Sequence, residues 1–291
     1  MKTRFFAFAA LALTLAACNN DNENLNDGSV AAKFIADITP ATRVNSEGTD
    51  WTEGDRIGVT GAGFTNVPYK REYGMFVPDG TVIYFDDTET HTFHAYYPYQ
   101  AEGGTVTVST AADKQGTGID FLFASGATGD THNPEVSFTD KTDKGGADNS
   151  FHHRMSQITL TIEAGDGVDF SVIKPERYTL DGLKLTGTFN TADGIATADD
   201  GAQTGELTME LADGNLTSSV ILFPQAAASL PLNVNYRSQN YRATLTVPEG
   251  ALKAGNNYTY TVKVRNRGIE VSQATIAAWN EIDGGEVGAD L

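Results

Sequence analysis

The side chains able to do chemistry in this 291-residue chain are few, and their spacing excludes more than it supports. Cysteine occurs once, as Cys18, closing the apolar run "FFAFAALALTLAAC". A single thiol builds neither a disulfide framework nor a thiolate metal cluster, so its use is as an attachment point. Of five histidines only His152 and His153, beside Arg154, adjoin each other. Neighbours on a strand point to opposite faces, so this pair reads as one core-facing and one exposed side chain, not as a metal site. The Asp-rich "TADGIATADDGA" lacks the ligand spacing of an EF-hand loop. No metal and no other cofactor is expected. Asp86-Asp87 and Asp199-Asp200 lend a glycosidase no specific support among 38 acidic residues. Nucleophile-elbow, zincin, Walker and dinucleotide signatures are absent, and no catalytic residue is assigned. Tyr96, Tyr97 and Tyr99 in "HAYYPYQ" form a possible ligand platform, because exposed rings stack on sugars. On a strand Tyr97 and Tyr99 would share a face; the competing use is core packing with a hydrogen-bonded hydroxyl.

What positions Cys18 is an export signal, with Lys2 and Arg4 ahead of an apolar segment from Phe5 to Ala17. That segment is shorter than the about 20 residues of a membrane span. Leu15-Ala16-Ala17-Cys18 resembles the lipobox of bacterial lipoproteins, in which the thiol accepts diacylglycerol and cleavage makes Cys18 the new N-terminus. Residues 1–17 are then the signal peptide, and 18–29, including "NNDNENLNDG", a flexible acidic tether too polar to offset its ordering entropy. Acidic residues shortly after such a cysteine resemble a surface-display signal of Bacteroidetes, which Asp21 and Glu23 match in part. Attachment to the outer membrane would be through lipid. The formal charge of −18 argues against nucleic acid as a partner.

Beyond the tether, runs rich in Val, Ile, Thr, Tyr and Phe alternate with Gly, Asp and Asn clusters, the pattern of strands and turns. "VAAKFIADI" places Val30, Ala32, Phe34, Ala36 and Ile38 on one face. "YTLDGLKLTGTF" and "IEVSQATIAAW" each read as one strand. With no long 3.6-residue period in competition, the fold class is all-β, antiparallel sandwiches. The polar segment from Phe138 to Phe151 suggests a boundary, giving an N-terminal β-sandwich domain over 30–148 and a C-terminal one over 149–291.

Several stretches then combine in order: "KFIADITPATR", "WTEGDRIGV", "FHAYYPY", "DFLFASG", "FHHRMSQITLTI", "ILFPQ", "LKAGNNYTYTVKV" and "IAAWNE". Together they resemble the fimbrillin family, lipoprotein pilins and adhesin-like proteins of Bacteroidetes. The resemblance implies two transthyretin-like Greek-key β-sandwich domains and a structural or adhesive role in a fimbria at the cell surface. It also implies an assembly mechanism. An N-terminal strand, here the face Val30, Ala32, Phe34, Ala36 and Ile38, completes its own sheet until an arginine-specific protease cuts in the following loop, here between Arg43 and Val44. Another fimbrial subunit then fills the vacated groove by strand addition. Subunits that stay as anchors keep the strand.

The C-terminal segment is the expected donor, with Ile269 to Trp279 its best strand; "NEIDGGEVGADL" after it alternates too weakly to be a strong one. Trp51 and Trp279 read as core residues. The rival expectations are a surface glycan-binding lipoprotein of a polysaccharide-uptake system, using the tyrosine platform, and a sandwich-type glycosidase. A host or bacterial receptor or glycan would complete the partners.

Overall fold

The computed structural model describes residues 28–38, 51–140, 148–211, 215–266 and 268–278. Among these residues strands dominate, interrupted by 3-10 turns at Ala112–Lys114, Thr117–Ile119 and Pro248–Gly250 and by no α-helix. The all-β class follows from period-two alternation of the kind seen in Ser156–Ala164, where Ile158, Leu160 and Ile162 are buried and the threonines between them are half-buried. Cys18, Arg43, Val44 and Trp279 lie outside the described residues.

The first half of the chain builds one eight-stranded sheet. Its spatial order is Glu135–Phe138, Lys33–Ala36, Met75–Pro78, Phe64–Glu72, Arg56–Gly61, His91–Tyr97, Leu122–Gly129 and His152–His153. All neighbours are antiparallel except the first pair. The sheet encloses a core that includes Phe34, Tyr69, Phe85, Phe93 and Phe138.

In the second half two sheets face each other. One runs Thr217–Leu222, Ser156–Ala164, Asn256–Arg265, with Gly268–Val271 and Thr275–Ala278 both on the outer side of Asn256–Arg265. The other runs Gly205–Glu210, Arg177–Leu183, Ser229–Tyr236, Gln239–Thr246. Leu160, Tyr178, Leu232 and Tyr260 lie in the core between them.

A three-stranded sheet ties the halves together, because Thr105–Ser109 pairs with Thr186–Asn190, which pairs with Ala196–Ala198. Beneath it Tyr96, Phe121, Phe189 and Phe223 form a third apolar cluster drawn from both halves. The turn at Gly194 has φ +69°, and a Cβ there would fall 2.2 Å from the Phe123 ring, so glycine is required twice over.

Two strand expectations change, and two strands appear where none was expected. "YTLDGLKLTGTF" divides into Arg177–Leu183 and Thr186–Asn190, which join different sheets, and the Gln225 side chain takes up the Lys184 backbone N–H between them. "IEVSQATIAAW" divides at a bulge between Val271 and Thr275. Phe64–Glu72 and Met75–Pro78 carry no clear strand signal, the former because Pro68 sits within it. Pro68 stands opposite Gly58, and its carbonyl accepts from the Asp79 N–H.

Candidate functional site

The N-terminal strand lies inside the sheet, not along its margin. Lys33–Ala36 runs parallel to Glu135–Phe138 on one side and meets Met75–Pro78 on the other, where Phe34 is paired with Phe76. The chain before it, Val30–Ala31, pairs with Tyr84–Phe85, and Ile38 bridges to Phe151. Backbone bonds outside the ladders continue the embrace: the Ala32 N–H donates to Ile83, Lys33 to Pro134 and Asp37 to Phe138, while the Phe151 N–H donates to Asp37. Main-chain groups over Val30 to Ile38 are thus met from several segments distant in sequence.

Side chains seat the same strand. Ala32, Phe34, Ala36 and Ile38 are buried, as the alternation requires, and Val30 is half-buried. Phe34, 1% exposed, is the centre of the seat. Its ring lies 4.6 Å from Tyr69 and 5.5 Å from Phe93 edge-on, and 6.5 Å from Phe138 in a stacked arrangement. Burying such a ring contributes roughly 1.5–3 kcal/mol, with aromatic edge contacts adding about 0.5–1.5 kcal/mol each. Without the strand, these rings would line a groove between Met75–Pro78, which stays paired with residues 69–72 on its far side, and the edge of Glu135–Phe138 that now pairs with residues 33–36.

Two polar devices hold the walls. The Tyr69 hydroxyl accepts the Ile83 N–H at 3.1 Å, and burial pushes that hydroxyl's pKa up. The turn leading into Glu135–Phe138 is fixed by Asp130, whose Oδ1 accepts the N–H groups of Asn133 and His132 at 2.8 Å each. Those bonds hold its carboxyl below the usual range. At the far end Trp51 closes the seat, 5.0 Å from both Phe76 and Phe151 and 5.5 Å from Tyr97, all edge-on. It is packed against the core, and its buried Nε1 has no hydrogen-bond partner among the described residues. Phe76, Phe138, Tyr69 and Trp51 had no local signal as parts of one site, because they come from separate segments, with Phe138 more than sixty residues beyond the other three.

The tyrosine platform does not assemble. Tyr96 is 1% exposed in the cluster between the halves; its hydroxyl donates to Asn66, accepts the Gln100 N–H, and is pushed up to about 12 by burial. Tyr97 turns to the first core and donates to Asp55 at 3.1 Å. Tyr99 lies past the end of the strand and is covered by the Arg56 guanidinium, 4.9 Å from its ring centre. Period two stops at Tyr97, so Tyr97 and Tyr99 do not share a face. His152 and His153 diverge likewise: His153 is buried against Asp120 at 2.7 Å and His152 meets Asp148 at 2.9 Å. Among the described residues no three His, Cys, Asp or Glu side chains gather as metal ligands, and no helix is long and apolar enough to cross a membrane.

The expected donor segment is occupied within this chain. Gly268–Val271 pairs with Val262 to Arg265, and Thr275–Ala278 with Asn256 to Thr259, both antiparallel. The register slips by one residue between them, and the Ser272 hydroxyl accepts the Thr261 N–H across the slip. The pair forms one bulged edge.

An apolar-seated N-terminal strand in an all-β chain is the arrangement implied by the fimbrillin resemblance, and the sequence profile of fimbrillin-like proteins matches residues 42–279. This chain belongs to the fimbrillin-like family. A relative from Bacteroides uniformis, named as a proposed fimbrium subunit, Fim1C, is 25% identical over 98% of each chain. A solved structure of a proposed cell adhesion protein from Bacteroides ovatus superposes with a TM-score of 0.72 at 27% identity, covering 87% of this chain and 99% of that one. A second, from Bacteroides uniformis, gives 0.69 at 24% identity, covering 88% and 99%, and shares the fold. The fimbrillin-like assignment spans both halves and the sheet joining them.

Proposed function

We propose that the chain is a cell-surface fimbrial subunit, exported as a lipoprotein through Cys18, whose residues 30–38 occupy the groove that receives a strand from another subunit. One observation carries this reading: Lys33–Ala36 fills an interior position between two strands, and the segment from Ala32 to Ile38 around it contributes four buried side chains. A terminal strand can leave without unthreading the chain, and its departure exposes both main-chain edges and apolar pockets, the two elements of strand addition. Cleavage between Arg43 and Val44 would detach it. The relatives' descriptions as fimbrial and adhesion proteins support the role.

The transthyretin-like, Greek-key arrangement and the division into 30–148 and 149–291 belong to the same reading. Support is clearest in the second half, where the first strand of the pair of sheets, Ser156–Ala164, runs parallel to Asn256–Arg265 while the chain between them crosses to the opposite sheet for two strands, returns for Thr217–Leu222 and crosses again for two more. A subunit that keeps its strand as an anchor is the second reading. It is favoured by the C-terminal edge, which is paired within its own sheet and not held out for donation.

Intact mass and N-terminal sequencing of the protein recovered from the surface of its native cells separate the two. An N-terminus at Val44 is the expected result for an assembling subunit. An acylated Cys18 on an otherwise complete chain establishes the anchor form and removes strand exchange at residues 30–38.

A further inference from the structure

The outward face of the sheet Gly205–Glu210, Arg177–Leu183, Ser229–Tyr236, Gln239–Thr246 holds a cavity of about 230 Å³ that plays no part in strand addition. Its floor is Thr179, Asn233 and Asn235, half-buried side chains whose strand neighbours Tyr178, Leu232 and Val234 go to the core. Register builds it in rows. Arg177, Asn235 and Asn240 lie opposite one another across three strands, and Thr179, Asn233 and Arg242 form the next row. Short amides and a hydroxyl therefore lie between long exposed side chains, Arg177 and Glu206 on one side and Arg242 on the other.

The chemistry of this trough is specific. Every side chain that reaches it is polar, so it gives an apolar ligand nothing. Asparagine amides both donate and accept, as hydroxyl groups require of a partner. A guanidinium bonds a carboxylate bidentately, about twice as strongly as a neutral pair. Arg242 makes no ion pair among the described residues, and Arg177 has only Glu210 at 3.9 Å. Arg177 and Arg242 stand two strands apart, roughly 10 Å across the sheet, which leaves room for one sugar ring. The volume is likewise below the about 300–1,000 Å³ of clefts for larger ligands. Glu206 and Glu210, together with the formal charge of −18, repel a densely anionic polymer.

We infer that this trough binds a single carboxylate-bearing sugar residue, of the uronic or sialic acid type, displayed on a glycan. Asn233 takes the hydroxyl groups together with the donor and acceptor positions that Asn235 and Asn240 keep beyond their mutual bond, in which the Asn235 amide donates to Asn240 Oδ1 at 2.9 Å, and Arg242, with Arg177, takes the carboxylate. The inference goes beyond the fimbrial role and holds whether or not the N-terminal strand is ever removed.

The test is a nuclear magnetic resonance titration of the isotopically labelled protein with methyl glucuronoside, a methyl sialoside and, as the neutral control, methyl glucoside. Saturable shifts of the side-chain amides of Asn233, Asn235 and Asn240 are expected with at least one acidic glycoside, and binding of the glucoside at least about tenfold weaker. Arg242→Ala should weaken the acidic glycoside by about tenfold without moving the melting temperature, because the side chain is exposed. Absence of saturation with both acids, equal binding of the glucoside, or undiminished binding by a folded Arg242→Ala protein would each overturn the assignment.

Discussion

The strands near the two ends of the described chain, Lys33–Ala36 and the pair Gly268–Val271 and Thr275–Ala278, are opposites in the way they are held. Lys33–Ala36 has a neighbour on both sides and sends Phe34 into the centre of an aromatic core. Gly268–Val271 and Thr275–Ala278 share a single neighbour, are broken by a bulge, and leave Ile276 39% exposed. The difference teaches that position near a chain end does not decide how firmly a strand is kept. The N-terminal strand is interior, one place in from the edge, and held by burial; the C-terminal strand is marginal and held by one ladder. In the proposed exchange the groove is costly to empty, so its occupant has to be cut away or replaced, whereas the outer C-terminal strand is the less costly one to release.

That contrast is sharpest at Phe34. Phe34→Ala should destabilise the protein by about 3–5 kcal/mol, read from urea denaturation; a loss below about 1 kcal/mol would mean that the seat is not a packed core. Next in size, Tyr69→Phe removes the acceptor of the buried Ile83 N–H and should cost about 1–3 kcal/mol, with no change in secondary structure by circular dichroism. Ile276→Ala on the outer strand should cost less than about 1 kcal/mol. Native-state hydrogen exchange should agree with this order, amides of residues 275–278 opening at lower free energy than those of 33–36. Equal protection of the two strands would erase the comparison.

The smallest effect concerns acid. The Asp130 carboxyl is held below the ordinary carboxylate value of 3.8 by the N–H groups of Asn133 and His132. The folded state therefore favours the ionised form, and the contribution is complete above that value and is lost as pH falls through the lower folded one. Melting temperatures compared at neutral pH and below about pH 3.8 should fall more for the parent than for Asp130→Ala, whose turn has no carboxylate to protonate. The turn feeds Glu135–Phe138, so loosening it also loosens one wall of the groove.

Alternation made much of this legible beforehand. Ala32, Phe34, Ala36 and Ile38 read as one buried face and are one, because side-chain direction in a strand is a local property. The platform of Tyr96, Tyr97 and Tyr99 failed for the converse reason: whether an aromatic ring meets solvent or another strand is fixed by residues far away, here Asn66, Asp55 and Arg56. Phe64–Glu72 was hidden by Pro68 and its charged residues, which a strand tolerates once both its neighbours are in place.

By itself the sequence determined the all-β class, the polarity pattern of the N-terminal strand and the absence of a cysteine framework, all of which depend on residue type and on spacing along the chain. Tertiary structure alone decided that this strand lies inside a sheet while the C-terminal one lies at an edge. It also decided that Thr105–Ser109 is spent in joining the halves, and that two arginines and three asparagines meet on one outer face. The reason is physical: strand pairing satisfies backbone groups that are alike in every residue but proline, so the choice of partner is settled only when whole faces compete for burial.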